Sequence, residues 1–222
     1  MATWVMHLRV AEKLMACPQL SEFFKDIDEK GFFVGAIAPD SGRMVGNFTY
    51  IPDKDTSHWK REEVSYEQRF LDNREFYTTY YLKETDSFKK SLFLGYYIHI
   101  LTDTIYVRDI IHPYIEKQGK PFWRANIENI RKGWYEIDFR FVESNPSYRP
   151  LKLLKEVEPF DNSFIDYFEP WDIYNRVQNA VELYENSVSN KDCVFYTHTD
   201  IEAEALIDRM VEEISQFISN NK

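Results

Sequence analysis

The sequence predicts an all-α fold, a multi-helix bundle forming a single domain over residues 1–222. Three observations lead there. Apolar residues recur at three- and four-residue steps along most of the chain, which places them on one side of a helix. Strict alternation is rare, and its best run, Tyr135–Phe141, lies in surroundings that favour helix. Capping patterns stand ahead of several apolar runs, and no period of about 20–50 residues repeats.

Thr3 is placed to cap a first helix. Trp4, His7, Leu8, Ala11, Leu14 and Met15 form its apolar stripe, Arg9, Glu12 and Lys13 its other side, and Pro18 closes it. A short helix is expected near Ser21 and another from Asp28 through Ala38. Pro39 then opens a loop, Asp40-Ser41-Gly42-Arg43, that passes Gly46 and Pro52 and ends near Thr56. Ser65 and Gln68 make a capping box before a helix carrying Phe70, Phe76 and the tyrosines up to Tyr81. The most apolar helix begins near Asp86-Ser87 and carries Phe88, Leu92, Gly95, Tyr96, His99 and Asp103. It can run to Lys117, with Gly119 and Pro121 ending the segment. Further helices are expected at Trp123–Glu143, Pro150–Val157 and Trp171–Ser187, and Thr199 with Glu202 caps the last.

Composition removes several function classes. A chain of 222 residues with 44% hydrophobic and 17% aromatic content can bury a core without disulfide or metal staples. Its 7 glycines assemble no G-x-G-x-x-G, P-loop or nucleophile elbow. A net charge of -10 argues against duplex nucleic acid as a partner. Cys17 and Cys193 sit in no C-x-x-C arrangement and read as free thiols. The first nine residues lack the basic segment and apolar run of a secretory leader. The longest apolar stretch, around Ser91–Ile105, is interrupted by Tyr96, Tyr97, His99 and Asp103, too polar to cross a bilayer. A cytoplasmic protein without integral membrane association is expected; the oligomeric state is left open.

Five histidines remain: His7, His58, His99, His112 and His198. His99 and Asp103 are four residues apart in the most apolar helix, so both side chains leave the same face. A buried aspartate needs a partner, and Gly95, one step earlier, clears room for a close neighbour. His7 lies on the apolar stripe of the first helix, the wrong side for a solvent-facing imidazole. Asp40 is delivered at the end of the apolar run Ala36-Ile37-Ala38-Pro39, and His58 stands in Ser57-His58-Trp59 at the end of a loop. Three imidazoles and two carboxylates on separate segments suit zinc or another divalent ion. His112 falls about 180° from Asp103 on a continuous helix, so it joins with Glu116 only if the helix breaks near Asp109, where Pro113 can mark such a break. His198, between two threonines, reads as surface. No histidine is followed by aspartate, which removes an HD-type phosphohydrolase.

The series Thr3-Trp4-x-x-His7, Gly35-Ala36-x-Ala38-Pro39-Asp40, Ser57-His58-Trp59 and Leu94-Gly95-Tyr96-x-x-His99-x-x-x-Asp103 resembles the bacterial zinc-dependent phospholipase C family, which shares its all-helical fold with the fungal single-strand nucleases. The resemblance covers roughly the first half of the chain. It implies His7, Asp40, His58, His99 and Asp103 as metal ligands, with Asp103 able to bridge two ions, and one metal as the first expectation and two as the second. The chain departs from the family in two places. Trp4 follows Met1-Ala2-Thr3 instead of leading the mature chain, and the family's later H-x-x-x-E pair has only His112 and Glu116 to answer it.

A hydrolase of small phosphoesters follows from this set, with Asp40 as the general base. Arg43, nearest in sequence, is the expected phosphate cation, and Trp59, Tyr96 and Tyr97 the expected pocket wall. The alternative is a metal-binding structural or interaction protein of the same fold without turnover.

Overall fold

A computed structural model describes residues 2–46, 49–60 and 64–220. The fold is all-α, with one short hairpin. Helix α5 (Ser87–Tyr106) is its axis: every residue from Ser91 to Tyr106 is buried. A helix that is apolar all round belongs at the centre of a bundle, and α1 (Trp4–Met15), α2 (Glu29–Gly35), α4 (Tyr66–Thr79) and α10 (Asp200–Asn220) pack around it. Side-chain caps start α2, α4 and α5. Asp28 accepts from the Gly31 amide, Ser65 from Gln68 and Asp86 from Lys89.

The α2–α5 crossing is unusually close because glycines face each other. A Cβ on Gly35 would sit 1.9 Å from the Leu92 carbonyl oxygen, and one on Gly95 would sit 2.0 Å from that of Phe32. The space Gly95 clears is therefore filled by the backbone of α2 rather than by a ligand.

Several expectations are corrected. No helix starts at Ser21; Pro18–Leu20 makes a single 3-10 turn instead. Helix α2 stops at Gly35, and Ala38–Ser41 forms a 3-10 turn with Pro39 in its first positions, where a missing amide costs nothing. The loop expected to reach Thr56 contains an antiparallel hairpin, β1 (Arg43–Val45) with β2 (Thr49–Ile51), and helix α3 (Lys54–Ser57); positions 47 and 48 lie outside the described residues. Arg9 is buried, its guanidinium 4.1 Å from the Phe141 ring centre and paired with Glu204 of α10.

After α5 the chain passes through a π turn (Val107–Ile111) into α6 (His112–Gln118). Pro113 has no amide to give the carbonyl of Asp109, and the ladder loosens just before it. The second half continues with α7 (Lys120–Ser144), α8 (Arg149–Lys155) and α9 (Asp172–Glu185). The capping box before α10 forms as predicted, with Glu202 accepting from the Thr199 amide and hydroxyl.

Candidate metal centre

Each candidate side chain is delivered by a different local device. His7 sits one turn into α1, and its ring stacks on that of His99 at 3.6 Å with 10° between planes. His99 is oriented by α2: its Nδ1 lies 2.8 Å from the Ala36 carbonyl oxygen, which the glycine crossing brings within reach. Nδ1–H donates to that carbonyl, so Nε2 is left as the lone-pair nitrogen. His58 caps the C-terminus of α3, where the Tyr96 hydroxyl donates to the Ser57 carbonyl, and its Nδ1 is 3.0 Å from Ser57 Oγ. Trp59 follows with a φ of 51°, a left-handed conformation that costs a bulky residue energy. Asp40 comes from the 3-10 turn after α2, and Asp103 from α5, one turn beyond His99.

These five groups converge. Asp103 Oδ2 lies 3.3 Å from His58 Nε2 and 3.6 Å from His99 Nε2. His7 Nε2 is 3.5 Å from Asp103 Oδ1, and His58 Nε2 is 3.5 Å from Asp40 Oδ1. Ligand atoms of His7, His99 and Asp103 fall within 4.8 Å of one another, as do those of Asp40, His58 and His99. Two donors bound about 2.1 Å from a tetrahedral ion stand about 3.4 Å apart, the spacing seen here.

The inward-facing atoms also lack partners of their own. Both ring nitrogens of His7, Nε2 of His58 and of His99, and Oδ2 of Asp103 are buried without a hydrogen bond. So many orphaned polar atoms in one place are too costly for a packed core and fit a cation at their centre. The protonation states agree. Burial pushes His7 down to about 4, with His99 adding to the effect, and burial also lowers His58. Burial pushes Asp40 and Asp103 upward, but Lys54 and His58 around Asp40, and His7 and His99 around Asp103, outweigh it and hold both well below the ordinary range. Neutral imidazoles beside ionised carboxylates are the ligand forms a divalent ion requires.

The other sequence expectations divide. His112 is exposed and meets the Tyr66 hydroxyl; the break near Asp109 occurs as a π turn, yet His112 stays outside the cluster. His198 is not at the surface: it is buried against the edge of Tyr106, its Nδ1 2.9 Å from Thr197 Oγ1. Arg43 points elsewhere, its Nε 3.1 Å from Asp172 Oδ1. Trp59 packs on Phe76 and Tyr80, and Tyr96 and Tyr97 belong to the core.

The cleft that opens beside the cluster is walled by other aromatics. It has a volume of about 650 Å³, and Trp4, Tyr50, Trp123, Trp134 and Tyr135 line it. Of the five candidate ligands, Asp40 alone is among the lining residues. Its Oδ2 accepts from the Trp4 indole at 3.0 Å and its Oδ1 from Lys54 Nζ at 2.6 Å. Lys54 was missed in the sequence, although it stands four residues before His58, the spacing of one helical face. The Ala2 amide, also missed, donates to Asp103 Oδ1 at 2.8 Å.

Residues 6–219 match the sequence profile of the family described as zinc dependent phospholipase C. Neither a curated protein nor a solved structure matches the chain.

Proposed function

We propose a hydrolytic role for this chain, which belongs to the zinc-dependent phospholipase C family: a metal-dependent phosphoesterase acting on a small phosphoester, built as one helical domain. The observation that carries it is the cluster of orphaned imidazole nitrogens and carboxylate oxygens at ligand spacing, next to an aromatic-walled cleft. His7, Asp40, His58, His99 and Asp103 would hold the ion. His99 has a single nitrogen to give, because Nδ1 is spent on Ala36; the two triads that share it therefore compete, which supports one ion over two.

When bound, a divalent ion lowers the pKa of a coordinated water toward about 7 and offsets charge on phosphoryl oxygens. The protein's own groups then set direction. Asp40 alone among the candidates lines the cleft, which supports its assignment as the group that takes the water proton. Lys54, part-exposed and lining the cleft, holds Asp40 ionised and would exchange that carboxylate for a substrate phosphoryl oxygen. Its departure raises the basicity of Asp40 when substrate is present.

Stripping the protein of metal, restoring zinc and assaying mono- and diesters tests this directly, with elemental analysis of the parent beside His99→Ala. Turnover that follows zinc, with metal lost in the variant, is expected. Stoichiometric zinc with no turnover would assign the chain to a structural metal-binding role, the reading favoured by the engagement of both Asp40 oxygens.

A further inference from the structure

The cleft inverts the charge of the molecule. The chain carries a net charge of -10, yet the cleft is lined by Lys54, Lys60, Arg131 and Arg176 against the single acid Asp40. Two of these cations are committed: Lys54 to Asp40 at 2.6 Å and Lys60 to Asp55 at 3.7 Å. Among the described residues, no carboxylate lies within 4.0 Å of the guanidinium of Arg131 or Arg176.

Arg176 is held in place without being neutralised. Its Nη2 donates to the Gly42 carbonyl at 3.2 Å, and its Cζ lies 5.1 Å from the Trp4 ring centre. Its Nε is buried and has no hydrogen-bond partner. Trp4 in turn is fixed to Asp40 through its indole N–H. The guanidinium is thus stationed one indole ring away from the candidate ligand that reaches the cleft. A planar fork with unspent donors, stacked on an aromatic and partly dehydrated, is suited to phosphoryl oxygens.

We infer that Arg176 is the specificity-determining residue of this site, receiving a phosphoryl oxygen and, with Arg131, selecting phosphoesters of at least two negative charges over zwitterionic ones. A phosphomonoester meets that condition. A choline-type ester brings its own cation toward like charges and is selected against. The inference rests on the phosphoesterase reading.

The test uses the zinc-loaded full chain on three matched nitrophenyl esters: the dianionic phosphate, the monoanionic diester and the phosphocholine ester. Phosphatidic acid in neutral-lipid vesicles is added as a membrane-borne monoester. Expected is a kcat/KM order that follows negative charge. In Arg176→Gln, KM for the monoester rises on the order of ten- to a hundredfold with a smaller change in kcat, as loss of a charged hydrogen bond implies. Arg176→Lys recovers part of it. Turnover of the soluble monoester assigns a free substrate and turnover of the vesicles a membrane-borne one; either, where it exceeds turnover of the phosphocholine ester, supports the charge rule. Inorganic phosphate, titrated against tryptophan fluorescence, gives a readout without turnover and weakens in the same variant. If no ester is turned over but phosphate binding still depends on Arg176, the phosphoesterase reading fails and the anion site stands. Preference for the phosphocholine ester overturns the inference, as does an Arg176→Gln protein with parental phosphate affinity. Should that variant not fold, Arg131→Gln carries the test, with a smaller loss in the same direction expected and an unchanged affinity overturning it.

Discussion

Asp103 on α5 and Asp138 on α7 are both buried carboxylates, and adjacent residues at the start of α1 reach for them: the Ala2 amide for Asp103, the Thr3 hydroxyl for Asp138. Their pKa values shift in opposite directions. Asp138 is satisfied by neutral donors, Thr3 Oγ1 at 2.8 Å and the Tyr184 hydroxyl at 2.6 Å, and burial pushes its carboxyl up to about 7. Asp103 has one oxygen with no partner, faces three imidazoles, and is held far below its ordinary range. Hydrogen bonds from hydroxyls close a polar network; they do not call for an ion. An acid left incomplete among imidazoles does. The difference separates a structural clamp from a candidate metal centre within one core.

The largest break in that comparison is Asp103→Ala. Loss of an outer-sphere partner typically costs about 10–100-fold in metal affinity, so loss of this carboxylate is expected to cost more than about a hundredfold, read by chelator competition. The parent's Tm is expected to fall on chelation, while that of Asp103→Ala stays unchanged.

Gly95→Ala comes next. Its Cβ would meet the Phe32 carbonyl, forcing α2 from α5 at a cost of about 1–3 kcal/mol by thermal denaturation. Because that crossing aims Ala36 at His99, zinc affinity should fall in the same variant.

Asp138→Ala sharpens the contrast. Leaving the Thr3 and Tyr184 hydroxyls unsatisfied should cost about 1–3 kcal/mol of stability, with zinc stoichiometry unchanged by elemental analysis.

The smallest effect is in pH dependence. The Asp138 carboxyl ionises near 3.8 in the unfolded chain and at about 7 in the fold. Between those values the folded state alone keeps the proton, so this group's contribution to stability falls as pH rises. His7 and His198 act the other way. Each takes a proton near 6.5 when unfolded but, held neutral by burial, at about 4 in the fold, so acidification through that window favours unfolding. In metal-free Asp138→Asn the first slope is gone, and Tm should drop more steeply from pH 7 to 4 than in the parent.

How far the sequence could be read depends on the range of the forces involved. The helices at Trp4, Tyr66, Ser87 and Asp200 were legible because capping and three-to-four periodicity act between residues a few positions apart. The His99–Asp103 pair was legible for the same reason. His7 was singled out because an imidazole on an apolar stripe conflicts with its neighbours. The short hairpin was not legible: its strands expose Met44, Val45 and Ile51, so no alternation of buried and exposed residues marks them. In the sequence Arg9 groups with its charged neighbours, because nothing local announces Phe141 or Glu204.

By itself, then, the sequence determined the helical class and the residue types able to meet a cation, because both follow from local spacing and side-chain chemistry. Tertiary structure decided which of those residues face one another. It buried His198 and exposed His112, withdrew Arg43 to Asp172, and stationed Arg176 over Trp4 from the far end of the chain. It also set the different ionisation of Asp103 and Asp138, since a carboxyl's pKa is decided by burial and by partners that only folding brings near.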